Sequence, residues 1–350
     1  MPAPLRVGLL NDMAEGPDEH LAELEAILRI PVDDALADGR LDRDVEFVRA
    51  YGVGLPEGTA AAVERAFVAL VDQDVLLVVG PAIGDNALVA TPLAERHHVP
   101  TINWAGTERA RGEYMFHLQV GSHEDESLVL ARHLAALGVR RVGVVCDRSP
   151  IGRRHLAFLH DEAALLGVDV VATTTVSPTT DAALPEVTTV LAAEPGALVY
   201  LGLGFAIPAV MGAVRDQGFD GPRALNAAGM RGYDPEYGRH LDGWVYPDMH
   251  SDGNTTLAAV RARLGERDRP GAGSAYGYDL GRLVAEGLAR APERTRDGVR
   301  EGLEQIKWLP AAEGHEGTLL GFGHRDRGAL HGRYLVLRQW RDGRSVELPT

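Results

Sequence analysis

The sequence predicts an α/β protein made of two lobes, each built around a Rossmann-like parallel sheet. Apolar, β-branched runs alternate with amphipathic helical patterns along most of the chain, which is typical of right-handed βαβ units. The pattern starts again after residue 120, and 350 residues are enough for two domains of ordinary size. Together these observations favour two αβ lobes over one large domain.

The first lobe begins with two strand-and-helix pairs. Strands are predicted over residues 5–10 and 45–50, followed by helices over residues 18–38 and 59–71. Leucines at helical spacing mark the first helix, and Thr59 is a suitable cap for the second. This order predicts a parallel sheet whose strands are connected by helices.

Residues 75–107 then contain two buried strands, each followed by a polar turn. The apolar run 75–79 ends at Gly80-Pro81, and strand 99–103 is followed by Trp104, Ala105, Gly106 and Thr107. Open α/β sheets bind their ligands at the carboxyl ends of their strands. The passage therefore predicts a pocket wall that offers a ring, a tight turn and a hydroxyl, without a catalytic group.

The second lobe repeats the alternation after strand 116–120. The predicted helices are 123–137, 152–166, 184–193 and 207–217, three of which end at Gly138, Gly167 and Gly218. The predicted strands are 142–146, 168–172, 197–201 and 223–227.

The last third of the chain changes character. Helices are predicted over 255–264, 276–291 and 294–305, and the segment 334–348 predicts a hairpin. We therefore expect several crossings between a first lobe, residues 1–119 plus 250–322, and a second lobe, residues 120–249 plus 323–350. A ligand cleft between hinged lobes is the expected consequence.

Composition excludes several classes of function. The net charge of −15 argues against nucleic acid and anionic membrane surfaces as partners, because both require clustered positive charge. Lys307 is the only lysine and lies in no phosphate-binding or Schiff-base motif. The single cysteine, Cys146, falls in an apolar strand and is predicted to be a core residue.

No motif predicts catalysis, a metal ion or a cofactor. The histidines at 97, 98, 315, 324 and 331 lack metal-ligand spacing and are interpreted as solvated loop residues. The acidic groups that include Asp12 and Glu126 lie at helix starts, where the helix dipole favours them. Several aromatic residues near turns or lobe boundaries suggest a ring-lined cleft: Trp104, Phe205, Tyr233, Trp244, Tyr276 and Tyr278.

Five segments together resemble the type I periplasmic binding fold, specifically the branched-chain amino acid (leucine, isoleucine and valine) binding proteins of ABC transporters. They are RVGLLND, the VVGPxxGxxALxxxPLAExxxVPTIxxxxT passage, RRVGVVCDRSPIGRR, ALVYLGLG and AYGYDLGRLVAEGLARA. The resemblance covers nearly the whole chain. It implies that backbone N–H groups and hydroxyls at Gly84, Ala105, Gly106 and Thr107 hold a ligand carboxylate.

The implied second-lobe positions depart from the family pattern. Ile151 stands where a tyrosine is expected, Gly204 where an aromatic residue is common, with Phe205 beside it, and Ala228 where an acid binds the ligand's α-ammonium. In the first lobe Gly84 replaces a serine. Tyr278 matches the family's GYD helix start. A buried ammonium without its carboxylate would lose about 1.5–3 kcal/mol, so a carboxylic acid, an amide or an aromatic compound is favoured over an amino acid.

Three hypotheses follow for function. The first is a non-catalytic binding protein that passes a small molecule to an ABC permease. The second is a cytosolic ligand sensor that regulates a protein partner. The third, an enzyme, has no nameable nucleophile and base. As the chain stands, the absence of an export signal or a membrane-spanning segment predicts a cytoplasmic protein, or an extracytoplasmic one if a signal has been removed.

Overall fold

The computed structural model describes residues 3–265, 268 and 273–349. The chain forms two compact units, Met1–Val120 with Met249–Tyr334, and Gly121–Asp248 with Leu335–Thr350. The two are called the first and second unit below. The chain passes between them after Val120, Asp248 and Tyr334.

The helices and strands alternate as the sequence predicts. The strands are β1 (Leu5–Asn11), β2 (Val45–Tyr51), β3 (Leu77–Val79), β4 (Thr101–Asn103), β5 (Met115–His117), β6 (Arg141–Asp147), β7 (Asp169–Val176), β8 (Ala197–Leu201), β9 (Arg223–Leu225), β10 (Trp244–Asp248), β11 (Leu309–Pro310), β12 (Leu319–Leu320), β13 (Leu330–His331), β14 (Val336–Arg341) and β15 (Arg344–Glu347). The α-helices are α1 (Glu19–Ala37), α2 (Ala60–Val71), α3 (Gly84–His97), α4 (His123–Ala136), α5 (Pro150–Leu165), α6 (Leu184–Leu191), α7 (Ile207–Asp216), α8 (Pro235–Gly238), α9 (Thr255–Leu264), α10 (Ser274–Arg290) and α11 (Arg296–Glu304).

The first unit is a parallel sheet with helices packed on it. In the described part of the chain its strand order is β2-β1-β3-β4-β5, and every pairing is parallel. Strands β1, β3 and β4 lie inside the sheet, and all residues of β3 and β4 are buried, as are all but one of β1. Thr59 caps α2 as predicted, with its side chain accepting from the N–H of Ala62.

The motif AYGYDLGR packs α10 closely against α1. A Cβ atom at Gly281 would collide with the carbonyl oxygen of Leu28, and one at Gly277 would lie 2.9 Å from the side chain of Leu24. Glycine at these two positions lets the helix backbones approach, and both helices contribute to the same buried core. The spacing in this motif thus has a structural explanation.

The second unit is a mixed sheet with order β15-β14-β10-β9-β8-β6-β7 among the described residues. Strands β6 to β10 pair in parallel, whereas β14 pairs antiparallel with β10 and forms the predicted hairpin with β15. Gly138, Gly167 and Gly218 follow α4, α5 and α7 with positive φ angles of 78°, 66° and 67°. These are the helix ends that the sequence predicts.

Residues 323–334 belong to the first unit and not to the second, where the sequence analysis placed them. Strand β13 pairs with β12 in a small antiparallel sheet, and His117 forms a bridge with Gly328. The bridge to His117 joins the segment to a part of the chain far away in sequence, and together with the β12 pairing it holds the segment in the first unit. Its glycine-rich composition gave no local signal of them.

Candidate functional site

The turn before α3 is fixed by a buried carboxylate. Asp12 follows β1 and accepts hydrogen bonds from the N–H groups of Ala82 (2.8 Å) and Ile83 (3.0 Å), and from the side-chain amide of Asn86 (2.8 Å). Strands β1 and β3 are neighbours, so the end of one reaches the turn after the other. Burial raises the pKa of Asp12, and these donors oppose that shift. Asp12 thus does more than the predicted helix-dipole interaction, because it anchors the turn that precedes Gly84.

Gly84 begins α3 and is buried. The carboxylate of Asp12 takes up the two preceding N–H groups, whereas the N–H of Gly84 has no acceptor within the described residues. An N–H group at the first turn of a helix is a good donor to an anion. The predicted donor at Gly84 is therefore compatible with the geometry of its helix.

The turn after β4 uses part of its hydrogen-bonding capacity internally. The N–H of Ala105 donates to the side-chain oxygen of Asn103 (3.3 Å), and the hydroxyl oxygen of Thr107 accepts from the N–H of Arg109 (3.4 Å). Thr107 is fully buried and caps a 3₁₀ helix, whereas Gly106 is half-buried. Of the predicted donors in this turn, the N–H of Ala105 is thus already engaged, and the hydroxyl of Thr107 has a capping role.

His117 stabilises the turn after β4, and no sequence motif indicated this residue. Its Nε2 atom donates to the carbonyl oxygen of Ala105 (2.6 Å), and its Nδ1 atom accepts from Nε of Arg111 (3.2 Å). Burial lowers the pKa of His117 to about 3, so the ring is neutral and can play both roles at once. The ring is a support for the turn, with both nitrogens engaged.

Trp104 lies beside a small pocket within the first unit. The pocket is lined in part by Asn11, Asp12 and Met13 at the end of β1 and by His20 of α1. The indole also stacks on the ring of Tyr276, with centroids 4.9 Å apart and planes inclined by 16°. Two of the aromatic residues that the sequence singled out are therefore brought together here.

Tyr278 does not share this position. It packs with Ile30 around a separate apolar cluster that includes Leu257 and Val260, and Arg282 lies 5.9 Å from its ring centroid. Residues two apart on a helix face different directions, which explains why Tyr276 meets Trp104 and Tyr278 does not. Within the first unit, Tyr276 is the aromatic residue of this motif that adjoins the turn after β4.

Asp279, the acid of the same motif, has a structural task. Its carboxylate is fully buried and accepts from the N–H groups of Ala312 (2.9 Å) and Glu313 (3.0 Å). Burial raises its pKa to about 7. The contact ties α10 to the chain before β12.

In the second unit, as at Asp12 in the first, a buried carboxylate at the end of a strand binds backbone N–H groups of a turn. Asp147 ends β6, and its carboxylate accepts from the N–H groups of Leu203 (2.7 Å) and Ser149 (3.1 Å), and from the hydroxyl of Ser149. Ser149 in turn caps α5, whose second residue is the buried Ile151. An acid at the end of one strand again holds the turn after its neighbour, here the turn that contains Gly204.

Gly204, Phe205 and Ala228 surround an arginine that the sequence analysis did not select. The guanidinium carbon of Arg231 lies 3.7 Å from the ring centroid of Phe205, and its Nε donates to the carbonyl oxygen of Leu203 (2.7 Å). A Cβ atom on Gly204 would lie 2.7 Å from Cδ of Arg231 and 3.1 Å from Cβ of Ala228. Three of the predicted second-lobe positions are therefore in one place. The spacing of Arg231, three residues after Ala228, is the signal that could have revealed it.

Glu126 joins the start of α4 to this region. Its carboxyl group accepts from the N–H groups of Ser122 (2.6 Å) and Ala227 (2.7 Å), and His155 lies 3.8 Å away. Burial raises the pKa of Glu126 to about 8 and lowers that of His155 to about 3. Asn226 contacts Nε2 of His155 (3.2 Å). The predicted helix-dipole role is again only part of the function of this acid, which also holds the backbone of Ala227, the residue before Ala228.

Two other aromatic residues proposed for a ring-lined cleft are core residues. Trp244 is 1% exposed within the apolar core of the second unit, and Tyr233 packs against the same core, where its ring meets that of Trp340. The hydroxyl of Tyr233 donates to Asp248 (3.0 Å). Their positions near strand ends reflect packing of the sheet and the hairpin.

The other residues interpreted from the sequence are the histidines, as possible metal ligands, and Cys146. No cluster of three or more potential metal-ligating side chains occurs among the described residues. His98 has a left-handed backbone conformation at the end of α3 and contacts Tyr114, so it is not a free loop residue. Cys146 is fully buried, as predicted, and burial raises its thiol pKa to about 12.

A family model described as periplasmic binding protein matches residues 4–343. This chain belongs to the periplasmic binding protein family. The resemblance inferred from the five sequence segments, to type I periplasmic binding proteins of the leucine-binding group, is confirmed, and so is the two-lobed α/β fold with parallel sheets. The family and the fold are those of non-catalytic solute-binding proteins.

Several solved structures share the fold of this periplasmic binding protein. A type 1 periplasmic binding protein from Bordetella pertussis Tohama I has a TM-score of 0.84 at 17% identity, covering 99% of this chain and 100% of its own. The leucine binding protein LivK of Thermotoga maritima has a TM-score of 0.81 at 16% identity, covering 99% and 98%. A solute binding protein of an ABC transporter from Rhodopseudomonas palustris BisB5, in complex with 3,4-dihydroxy benzoic acid, has a TM-score of 0.79 at 19% identity, covering 99% and 96%.

No curated protein matches the chain in sequence. In the described part of the chain, no helix is both long and apolar enough to cross a membrane.

Proposed function

We propose that this periplasmic binding protein binds a small carboxylic acid that lacks an α-ammonium group, and that it does so without catalysis, as the ligand-binding component of an ABC transporter. One observation carries the choice of ligand. At Ala228, where the family resemblance places the acid that holds an ammonium group, the chain has a methyl group, and this methyl group and Arg231 both adjoin Gly204.

The first unit supports a carboxylate as one end of the ligand. The N–H of Gly84 at the start of α3 has no acceptor among the described residues, and the neighbouring N–H groups are already bound to Asp12. A carboxylate placed at this helix start gains hydrogen bonds to backbone groups and a favourable interaction with the helix dipole. In this proposal Gly84, Gly106 and Thr107 contact the carboxylate, and Trp104 packs against the body of the ligand.

The second unit argues against an amino acid. An α-ammonium group near Ala228 would lie in the neighbourhood of the positively charged Arg231, and like charges at short distance repel each other. It would also lack the carboxylate that offsets its desolvation. In this proposal Ile151, Gly204, Phe205 and Ala228 provide the apolar part of the second unit's contribution. The wider ligand range of the fold supports the idea, since one structural neighbour is named for leucine and another carries 3,4-dihydroxy benzoic acid.

Native mass spectrometry of the purified protein tests the proposal. The expected result is one small acid bound per chain, which is released on unfolding and recovered unchanged after prolonged incubation. Recovery of a chemically converted compound would contradict a pure binding function. Recovery of an α-amino acid would contradict the proposed ligand class.

A further inference from the structure

The turn after β4 contains two successive N–H groups that its own structure does not use. The N–H of Ala105 donates to the side chain of Asn103, whereas the N–H groups of Gly106 and Thr107 have no acceptor in the described part of the chain. Successive backbone N–H groups of a turn can bind an anion. The orientation of the peptide group before Gly106 therefore affects what this turn can bind.

That peptide group is held from its other side by His117. The N–H of Gly106 and the carbonyl oxygen of Ala105 belong to one trans peptide group, so they point in opposite directions. Nε2 of His117 donates to the carbonyl oxygen at 2.6 Å. This bond fixes the plane of the peptide group. It also polarises the N–H on the opposite side, because hydrogen bonds in a chain strengthen one another.

Arg111 determines which nitrogen of the imidazole carries the proton. Its Nε atom lies 3.2 Å from Nδ1 of His117, and a guanidinium can only donate. Nδ1 must then accept, which leaves the proton of the neutral ring on Nε2, where it meets Ala105. Burial and the positive charge of Arg111 lower the pKa of His117 to about 3, so the ring stays neutral. The two contacts thus specify one tautomer.

Arg111 is itself held by charge and by shape. Its guanidinium lies 3.5 Å from the carboxylate of Glu108 and 3.6 Å from that of Asp326. A Cβ atom on Gly328 would lie 2.6 Å from Nη2 of Arg111, so glycine leaves the space that the guanidinium occupies. Gly328 also forms a bridge with His117. A segment far away in sequence thus places both Arg111 and the histidine.

We propose that His117 is a positioning residue for ligand binding, which orients the peptide group between Ala105 and Gly106 so that the N–H of Gly106 donates to the ligand's carboxylate. The inference rests on the proposed function, and it adds the residues that prepare this donor. A donor that is oriented in advance loses little entropy on binding. Since hydrogen bonds to a charged acceptor are the stronger ones, the arrangement favours an acid over the corresponding neutral amide.

The test compares ligands that differ in charge and variants that differ in the hydrogen bonds of residue 117. Titration calorimetry measures the affinities for acetate, isovalerate, benzoate and 3,4-dihydroxybenzoate, and for their primary amides. We expect the wild type to prefer at least one acid over its amide, and His117→Phe to reduce that preference about 10-fold. His117→Gln should keep most of it, because glutamine accepts at one atom of its amide and donates at the other.

Two further measurements separate positioning from stability. Val63→Ala, a change in the apolar core of the same unit, should lower the melting temperature but leave the preference for acids unchanged. In ¹⁵N NMR spectra of the ligand-free wild type, His117 should be a neutral ring with its proton on Nε2. A proton on Nδ1 would overturn the inference.

The outcomes distinguish the inference from the proposed function. If His117→Phe weakens acids and amides equally, or leaves the preference unchanged, His117 does not position the donor and the inference is wrong, while the proposed function stands. A wild type that binds amides as tightly as acids would also overturn it. If the wild type binds none of the acids, both fail.

A second variant decides the matter if His117→Phe does not fold, as judged by circular dichroism. Arg111→Met keeps the imidazole but removes the donor to Nδ1, so the proton is no longer confined to Nε2. We expect this variant to lose part of the preference for acids. An acid preference equal to that of the wild type would contradict the inference.

Discussion

The indole of Trp104 stacks on the phenol ring of Tyr276, with ring centroids 4.9 Å apart and planes 16° from parallel. Trp104 follows β4 and Tyr276 lies in the first turn of α10, so the contact joins the turn after β4 to a helix that is distant in sequence. Trp104 also lines the pocket at the end of β1. The stacking therefore fixes the orientation of the ring that we propose packs on the ligand.

A double-mutant cycle measures this contact. Trp104→Leu and Tyr276→Leu are expected to show a coupling free energy of about 0.5–1.5 kcal/mol in urea unfolding, because stacked aromatic pairs stabilise beyond their buried area. The pair Phe116 and Phe322, which meet edge to face at the same centroid distance of 4.9 Å, provides a reference cycle in the same unit. If the losses in the free energy of unfolding from the two single changes are additive, the contact between the rings does not stabilise the fold.

Substitution of Asp12 tests the anchoring of the turn before Gly84. In Asp12→Asn the side-chain amide would place a donor opposite backbone N–H groups, so we expect the free energy of unfolding to fall by about 1–3 kcal/mol. Glu15→Gln, an exposed acid nearby on the chain, is the control and should change stability little. An Asp12→Asn variant as stable as wild type would mean that the turn before α3 keeps its conformation without this carboxylate.

Gly204→Ala tests the space that Arg231 occupies. The positive φ angle and the close approach of Arg231 predict a loss of about 1–3 kcal/mol in the free energy of unfolding. Gly196→Ala is a suitable control, because a Cβ atom there would make an ordinary 3.5 Å contact with the carbonyl oxygen of Arg141. Equal effects of the two substitutions would show that Gly204 does not accommodate the arginine.

The pH dependence of stability reports on Glu126. Its pKa rises from an ordinary 4.5 to about 8 on folding, so between these pH values the folded state holds more protons than the unfolded state. The free energy of unfolding should therefore fall as the pH rises through this range, by at most about 1.4 kcal/mol per pH unit from this group. His155, with its pKa lowered to about 3, acts in the opposite direction below pH 6.5.

The comparison with Glu126→Gln isolates this contribution. The variant should be less stable overall because its amide cannot accept from both Ser122 and Ala227, but its stability should fall less steeply between pH 6.5 and 8. Asp279, whose pKa is about 7, titrates in both proteins and cancels in the difference. Parallel curves for variant and wild type would indicate that Glu126 is ionised throughout this range.

The sequence predicted the regular architecture well because hydrophobic periodicity and helix caps are local signals. Strand β8 and helix α9 have the predicted bounds, and the glycines that end α4, α5 and α7 have the expected left-handed conformation. The short strands were harder to bound: β3, β4 and β9 occupy only parts of the predicted runs. In these runs, burial extends beyond the residues that pair in the sheet.

The candidate site was less predictable because its chemistry depends on contacts between distant segments. Asp12 and Asp147 each bind the turn after a neighbouring strand, and no local pattern distinguishes them from surface acids at helix starts. Tyr276 and Tyr278 looked equivalent in sequence, yet helix rotation places Tyr276 against Trp104. Arg231 was missed because its importance follows from its contacts with Phe205 and Gly204.

Calorimetric titration of the ligand-free wild-type protein with leucine and with a series of mono- and dicarboxylic acids tests the central claim most directly. The chain has Ala228 in place of an acid and Arg231 beside it, so we expect measurable heat with at least one acid and none with leucine at millimolar concentration. Leucine binding more tightly than every carboxylic acid in the series would contradict the account.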